Sequence, residues 1–137
     1  MEEIVAGNHA QIIVHEAVEA LGNLSDENTD RLIEQYKNSN SEISEMVLET
    51  CELAQDLIKW NTETNFGESE GLDLKKLKFK TNDPAPPYNI ASDTDKYQNV
   101  TWLQEQLLDG NKKLFDRYRA MFTLRELCTK ESCKAIC

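Results

Sequence analysis

The sequence predicts an all-α fold of short helices packed in antiparallel pairs, as an α-solenoid or a bundle. Three observations carry this expectation. Apolar residues recur at helical rather than strand spacing. Capping and turn residues interrupt that pattern at short intervals. Only three prolines and five glycines occur in 137 residues, so little of the chain is denied to helix.

The first element runs from about Ala10 to Leu24, where Ile13, Ala17, Ala20, Leu21 and Leu24 fall on one stripe expected to face the core. Ser25 or Asp26 then marks a turn and cap before a shorter helix carrying Leu32, Ile33 and Tyr36. A third helix is expected from about Glu42 to Trp60, with Ile43, Met46, Val47, Cys51, Ala54, Leu57 and Ile58 apolar. The pattern stops at Asn61. The stretches NFGESEG, KKLKFK and DPAPP exclude a long helix up to Asn99, so residues 62–99 read as a linker. Within it, residues from about 62 to 82 are expected to be poorly ordered or extended. Thr101 can cap a helix that starts at Trp102 and ends at Asp109-Gly110-Asn111. Another helix follows in KKLFDRYRAMFTLRELC, and a last one of two turns starts at about Lys130.

Laying FDRYRAMFTLREL against IIVHEAVEALGNL aligns Ala17 with Ala120, Leu21 with Leu124 and Leu24 with Leu127. Both read as the first helix of a two-helix repeat. In this register His15 and Glu16 correspond to Tyr118 and Arg119.

Charge is divided unevenly along the chain. Residues 1–71 carry 16 acidic and 3 basic side chains, about −13, and residues 72–137 carry 9 and 12, about +3, which sum to the overall −10. The acidic first part disfavours nucleic acid, whose phosphates need a basic face, and favours a cationic partner; a merely solvating face is the plainer alternative. No apolar run approaches bilayer-spanning length and no secretory signal pattern opens the sequence, so a cytoplasmic location is expected, without a membrane partner. Cys51, Cys128, Cys133 and Cys137 lack CxxC spacing and read as reduced structural thiols rather than a zinc site or disulfide framework.

The chemistry-bearing feature is His15-Glu16. Imidazole and carboxylate suit non-haem iron and leave positions open for oxygen. Neighbours on a helix point about 100° apart, however, so they cannot grip one ion as the two histidines of HExxH do. Adjacency makes sense when side-by-side repeats bring equivalent pairs to one groove. A surface histidine beside a helical glutamate is the bland alternative, and His9 is read that way outright. Phe115, Met121 and Phe122 read as core residues, and Arg117, Arg119 and Arg125 as solvated or capping ones. No Ser-His-Asp order, Gly-rich phosphate loop or HExxH is present.

The stretches VHEAVEALGNL, VLETCELAQDLIKW, NDPAPPYNI and LFDRYRAMFTLREL, in that order, closely resemble the deoxyhypusine hydroxylase family of HEAT-like repeat enzymes. The resemblance implies helical-hairpin repeats interrupted by a long linker. Residues 1–61 would be the last repeat region of one half, 62–99 the linker, and 100–137 the incomplete start of the other half. It further implies two Fe(2+) ions per complete enzyme, held by four His-Glu motifs, and molecular oxygen as co-substrate. The implied substrate is the deoxyhypusine-containing precursor of translation factor 5A, whose modified side chain becomes hypusine. By the same resemblance His15 and Glu16 are metal ligands. The other three His-Glu motifs have no counterpart in this sequence, so the chain alone is expected to be inactive; a non-catalytic, partner-binding repeat module is the alternative. Wherever the motif lies, His15 and Glu16 are expected in the first helix of a hairpin, with at least one side chain accessible to solvent.

Overall fold

The computed structural model describes residues 2–39, 42–64, 72–92 and 94–137, with only the backbone described for 2–9, 27 and 94. Every regular element among them is helical: α1 (Glu2–Leu24), α2 (Glu27–Ser39), α3 (Glu45–Glu63), a 3-10 turn (Leu74–Lys76), α4 (Thr94–Tyr97), α5 (Val100–Leu108), α6 (Leu114–Leu127) and α7 (Lys130–Ile136). No helix among the described residues is long and apolar enough to cross a membrane. The chain divides into two compact units, Met1–Lys59 and Trp60–Cys137.

In the first unit α1 and α2 form a hairpin closed by two residues. Ser25 takes a left-handed conformation at φ 52°, and Asp26 caps α2 by accepting the N–H groups of Asn28 and Thr29 at 2.7 and 2.9 Å. Thr29 Oγ1 reciprocates by accepting the Asp26 N–H. The core is Val18, Ile33, Val47, Cys51, Ala54 and Ile58, with Val14, Leu21, Tyr36 and Ile43 packed against it.

This core corrects the expected stripe on α1. Val18 is 5% exposed, whereas Ile13 and Leu24 are 69% and 67% exposed, and Ala17 and Ala20 are exposed as well. The buried face is Val14, Val18, Leu21 and Gly22, an equally good helical row. Gly22 explains the choice: a Cβ added there would stand 2.9 Å from Ala54 Cβ, so α3 approaches α1 at the position that offers no side chain.

The second unit is centred on α6. Leu103, Ala120, Leu124 and Ala135 form its core, flanked by Tyr88, Val100, Trp102, Leu107 and Leu127. Asn99, not Thr101, caps α5 by accepting the Trp102 N–H at 3.0 Å, two residues earlier than expected. Of the segment expected to be poorly ordered or extended, residues 65–71 lie outside the described residues, and 62–63 complete α3. Residues 72–92 hold the 3-10 turn and otherwise run without regular structure along α6. Four side chains of α6 hold them there. Glu126 accepts the backbone N–H groups of Lys78 and Phe79 at 2.8 and 3.3 Å. Thr123 accepts that of Tyr88 at 2.8 Å, Arg119 donates to the Pro86 carbonyl, and Arg125 pairs with Asp83. A strand-free, proline-rich segment must find partners for its backbone groups somewhere, and these α6 side chains supply them.

The α6–α7 hairpin repeats the α1–α2 turn. Cys128 is left-handed at φ 55°, and Thr129 and Ser132 cap α7 through reciprocal 3.0 Å bonds. In the register that aligns Leu21 with Leu124, Ser25 falls on Cys128, Asp26 on Thr129 and Thr29 on Ser132. The backbone thus supports the two-copy repeat read from the helices alone.

Candidate metal centre around His15

His15 and Glu16 both sit in α1, the first helix of its hairpin. Glu16 is exposed and His15 half-buried, so at least one of the two meets solvent. The two are not set alike. The His15 ring leans toward α3, where its Nδ1 lies 2.7 Å from Thr50 Oγ1. Its Nε2 lies 3.6 Å from Glu19 Oε1, one helical turn on. The carboxylate nearest the imidazole is therefore Glu19 rather than Glu16.

Thr50 is 5% exposed, and its hydroxyl donates to the Met46 carbonyl at 2.8 Å, the common habit of a threonine inside a helix. The histidine is thus anchored by one nitrogen to a buried group, while the other faces the Glu19 carboxylate. Glu19 was open to sequence reasoning, since residues four apart on a helix are neighbours. Thr50 was not: nothing local links it to a residue 35 positions earlier.

The donor set fits part of an iron site. Imidazole nitrogen and carboxylate oxygen are suitable ligand types, but no cluster of three or more His, Cys, Asp or Glu side chains able to hold a metal occurs among the described residues. Cys51 is buried, and Cys128, Cys133 and Cys137 are exposed free thiols. At the places aligned with His15 and Glu16, the second hairpin carries Tyr118 and Arg119. Arg119 is buried, its guanidinium 5.7 Å from the centre of the Trp60 ring and 4.4 Å from that of Tyr88. A cavity of about 500 Å³ in the second unit, lined by Leu72, Lys76, Tyr88, Ile90, Glu126 and Leu127 among others, contains none of the predicted ligands.

No protein-family model matches the chain. Curated relatives do. It is 36% identical over 137 residues to deoxyhypusine hydroxylase of Kluyveromyces lactis, covering 99% of this chain and 40% of that protein. It is 37% identical over 129 residues to that of Saccharomyces cerevisiae, covering 94% and 37%, and 41% identical over 116 residues to that of Gibberella zeae, covering 84% and 32%. Among solved structures, human deoxyhypusine hydroxylase in complex with glycerol matches with a TM-score of 0.67 and 36% identity, over 88% of this chain and 36% of that one. The chain spans about two fifths or less of the length of each of these relatives. Several such matches over most of its residues, together with a helical fold shared with the human protein, place the chain in the deoxyhypusine hydroxylase family.

Proposed function

We propose that this chain is the part of a deoxyhypusine hydroxylase that supplies one of its His-Glu ligand pairs, His15 and Glu16. The reaction is hydroxylation of the deoxyhypusine side chain on the translation factor 5A precursor. The observation that carries the reading is the likeness to these enzymes over 99% of the chain, which includes a helix that exposes Glu16 and leaves His15 Nε2 off the core. Iron, when bound, supplies the means of activating molecular oxygen.

What the residues of this chain do is narrower. His15 offers one nitrogen as a donor while its other nitrogen is tied to α3, and Glu16 offers a carboxylate from the next position. Most of the chain's negative charge lies in residues 1–71, which suits the approach of a cationic amine side chain. The remaining ligands come, on this reading, from lengths of the relatives that the chain does not span.

Iron content and turnover test it. The 137-residue chain is expected neither to retain two irons nor to hydroxylate the modified precursor. A version extended to its relatives' length should do both, and lose metal on His15→Ala or Glu16→Ala. Two irons with turnover from this chain alone would refute the ligand count, and unchanged iron in both variants would refute the ligand assignment.

A further inference from the structure

We infer that Thr50 is a positioning residue that fixes the tautomer of His15, keeping the proton on Nδ1 so that Nε2 presents its lone pair. The inference rests on the ligand reading above for its purpose, but its evidence is independent of it. The Thr50 hydroxyl has one proton, and that proton is committed to the Met46 carbonyl 2.8 Å away. Toward His15, at 2.7 Å, the same oxygen can only accept. Nδ1 must therefore be the donor, and a neutral ring then has no proton on Nε2.

The other side of the ring agrees. Nε2 and Glu19 Oε1 stand 3.6 Å apart, beyond hydrogen-bonding distance. Had Nε2 carried the proton, a carboxylate one turn away on the same helix would be free to close on it. With the proton on Nδ1, two lone-pair-bearing atoms face each other across this 3.6 Å gap, an arrangement that a cation satisfies and a neutral ring does not. Thr50 is well placed to hold this preference, because it is almost fully buried and gripped at both ends, whereas the half-exposed Glu19 pulls the proton the other way. Outer hydrogen bonds of this kind orient metal-binding histidines and set their donor nitrogen.

The test reads the tautomer directly, without metal. Long-range proton–nitrogen correlation spectra of the 15N-labelled 137-residue chain, at a pH where imidazole is neutral and with His9→Gln to assign signals, should show His15 as the Nδ1–H form. Thr50→Val keeps the branched shape and removes the oxygen; it should shift the ring to the Nε2–H form that Glu19 favours. Thr50→Ser restores the acceptor and should return the Nδ1–H form. An Nε2–H ring in the wild-type chain, or a folded Thr50→Val chain with an unmoved tautomer, overturns the inference. If Thr50→Val fails to fold, the wild-type spectrum alone decides. Iron takes no part in this measurement. A failed iron test with an Nδ1–H ring removes the ligand assignment and leaves the role of Thr50; an Nε2–H ring does the reverse.

Discussion

Ser25 and Cys128 occupy the same place in their two hairpins and the same left-handed backbone conformation, at φ 52° and 55°. Neither is glycine, the residue that takes this conformation without steric cost. An L-residue there gives up roughly 1–2 kcal/mol, while glycine returns about 0.4–1 kcal/mol through the freedom of its unfolded chain. Cys128 is exposed, so Cys128→Gly should stabilise the chain by about 0.5 kcal/mol or a little more. Ser25 differs because its hydroxyl donates to the Gly22 carbonyl at 2.6 Å, a bond worth about 0.5–1.5 kcal/mol. Ser25→Gly should therefore be close to neutral. Urea denaturation midpoints compare the two; equal gains would mean that the serine hydroxyl contributes nothing.

Gly22→Ala is expected to destabilise the first unit despite the better helix propensity of alanine. The new methyl would meet Ala54 Cβ at 2.9 Å and Ala54 Cα at 3.1 Å, and because a backbone atom is involved, α1 and α3 must part. Overpacking of this kind costs about 1–3 kcal/mol, against a propensity gain of about 1 kcal/mol. Pairing it with Ala54→Gly should recover part of the loss beyond additivity. Thermal unfolding of the single and double variants measures this, and a stabilised Gly22→Ala would show that the helices yield freely.

Thiol labelling should find three fast cysteines and one slow one. Cys128, Cys133 and Cys137 are exposed. Cys51 is fully buried, and desolvation pushes its thiol above the ordinary cysteine range, the nearby Lys37 charge opposing only in part. Both effects starve it of reactive thiolate. Its modification should follow unfolding of the first unit, as mass spectrometry over time and urea concentration would show. Four equally fast thiols would contradict the packed core around Val18 and Ile33.

Much of this fold was legible because helix ends announce themselves locally. Asp26 before α2 and Asp109-Gly110 after α5 act where their side-chain chemistry says they should. The misread face of α1 has a physical cause. With Ile12, Ile13, Val14, Ala17, Val18, Ala20, Leu21 and Leu24 in one helix, two apolar rows of similar quality exist, and periodicity cannot choose between them. The choice fell to Gly22, through a neighbour 32 positions away. Residues 72–92 hid their order for a related reason: their partners are side chains of α6, and no local pattern reports a carboxylate such as Glu126 waiting 48 residues downstream of Lys78. At the site, the dipeptide His15-Glu16 was plain to see, but the hydroxyl that orients its ring was not.

The setting of Arg119 sets the two copies of the repeat apart. In the shared register this position holds Glu16 in one copy, yet in the other a guanidinium rests against the rings of Trp60 and Tyr88 and donates to the Pro86 carbonyl. A carboxylate placed there would turn its negative charge toward the electron-rich ring faces and abandon that carbonyl. Arg119 thus serves as a rivet for the proline segment, and a glutamate at this position would find neighbours that suit a cation and not an anion. The two copies are therefore not interchangeable here: carrying the residue of one over to the other would require its surroundings to change as well.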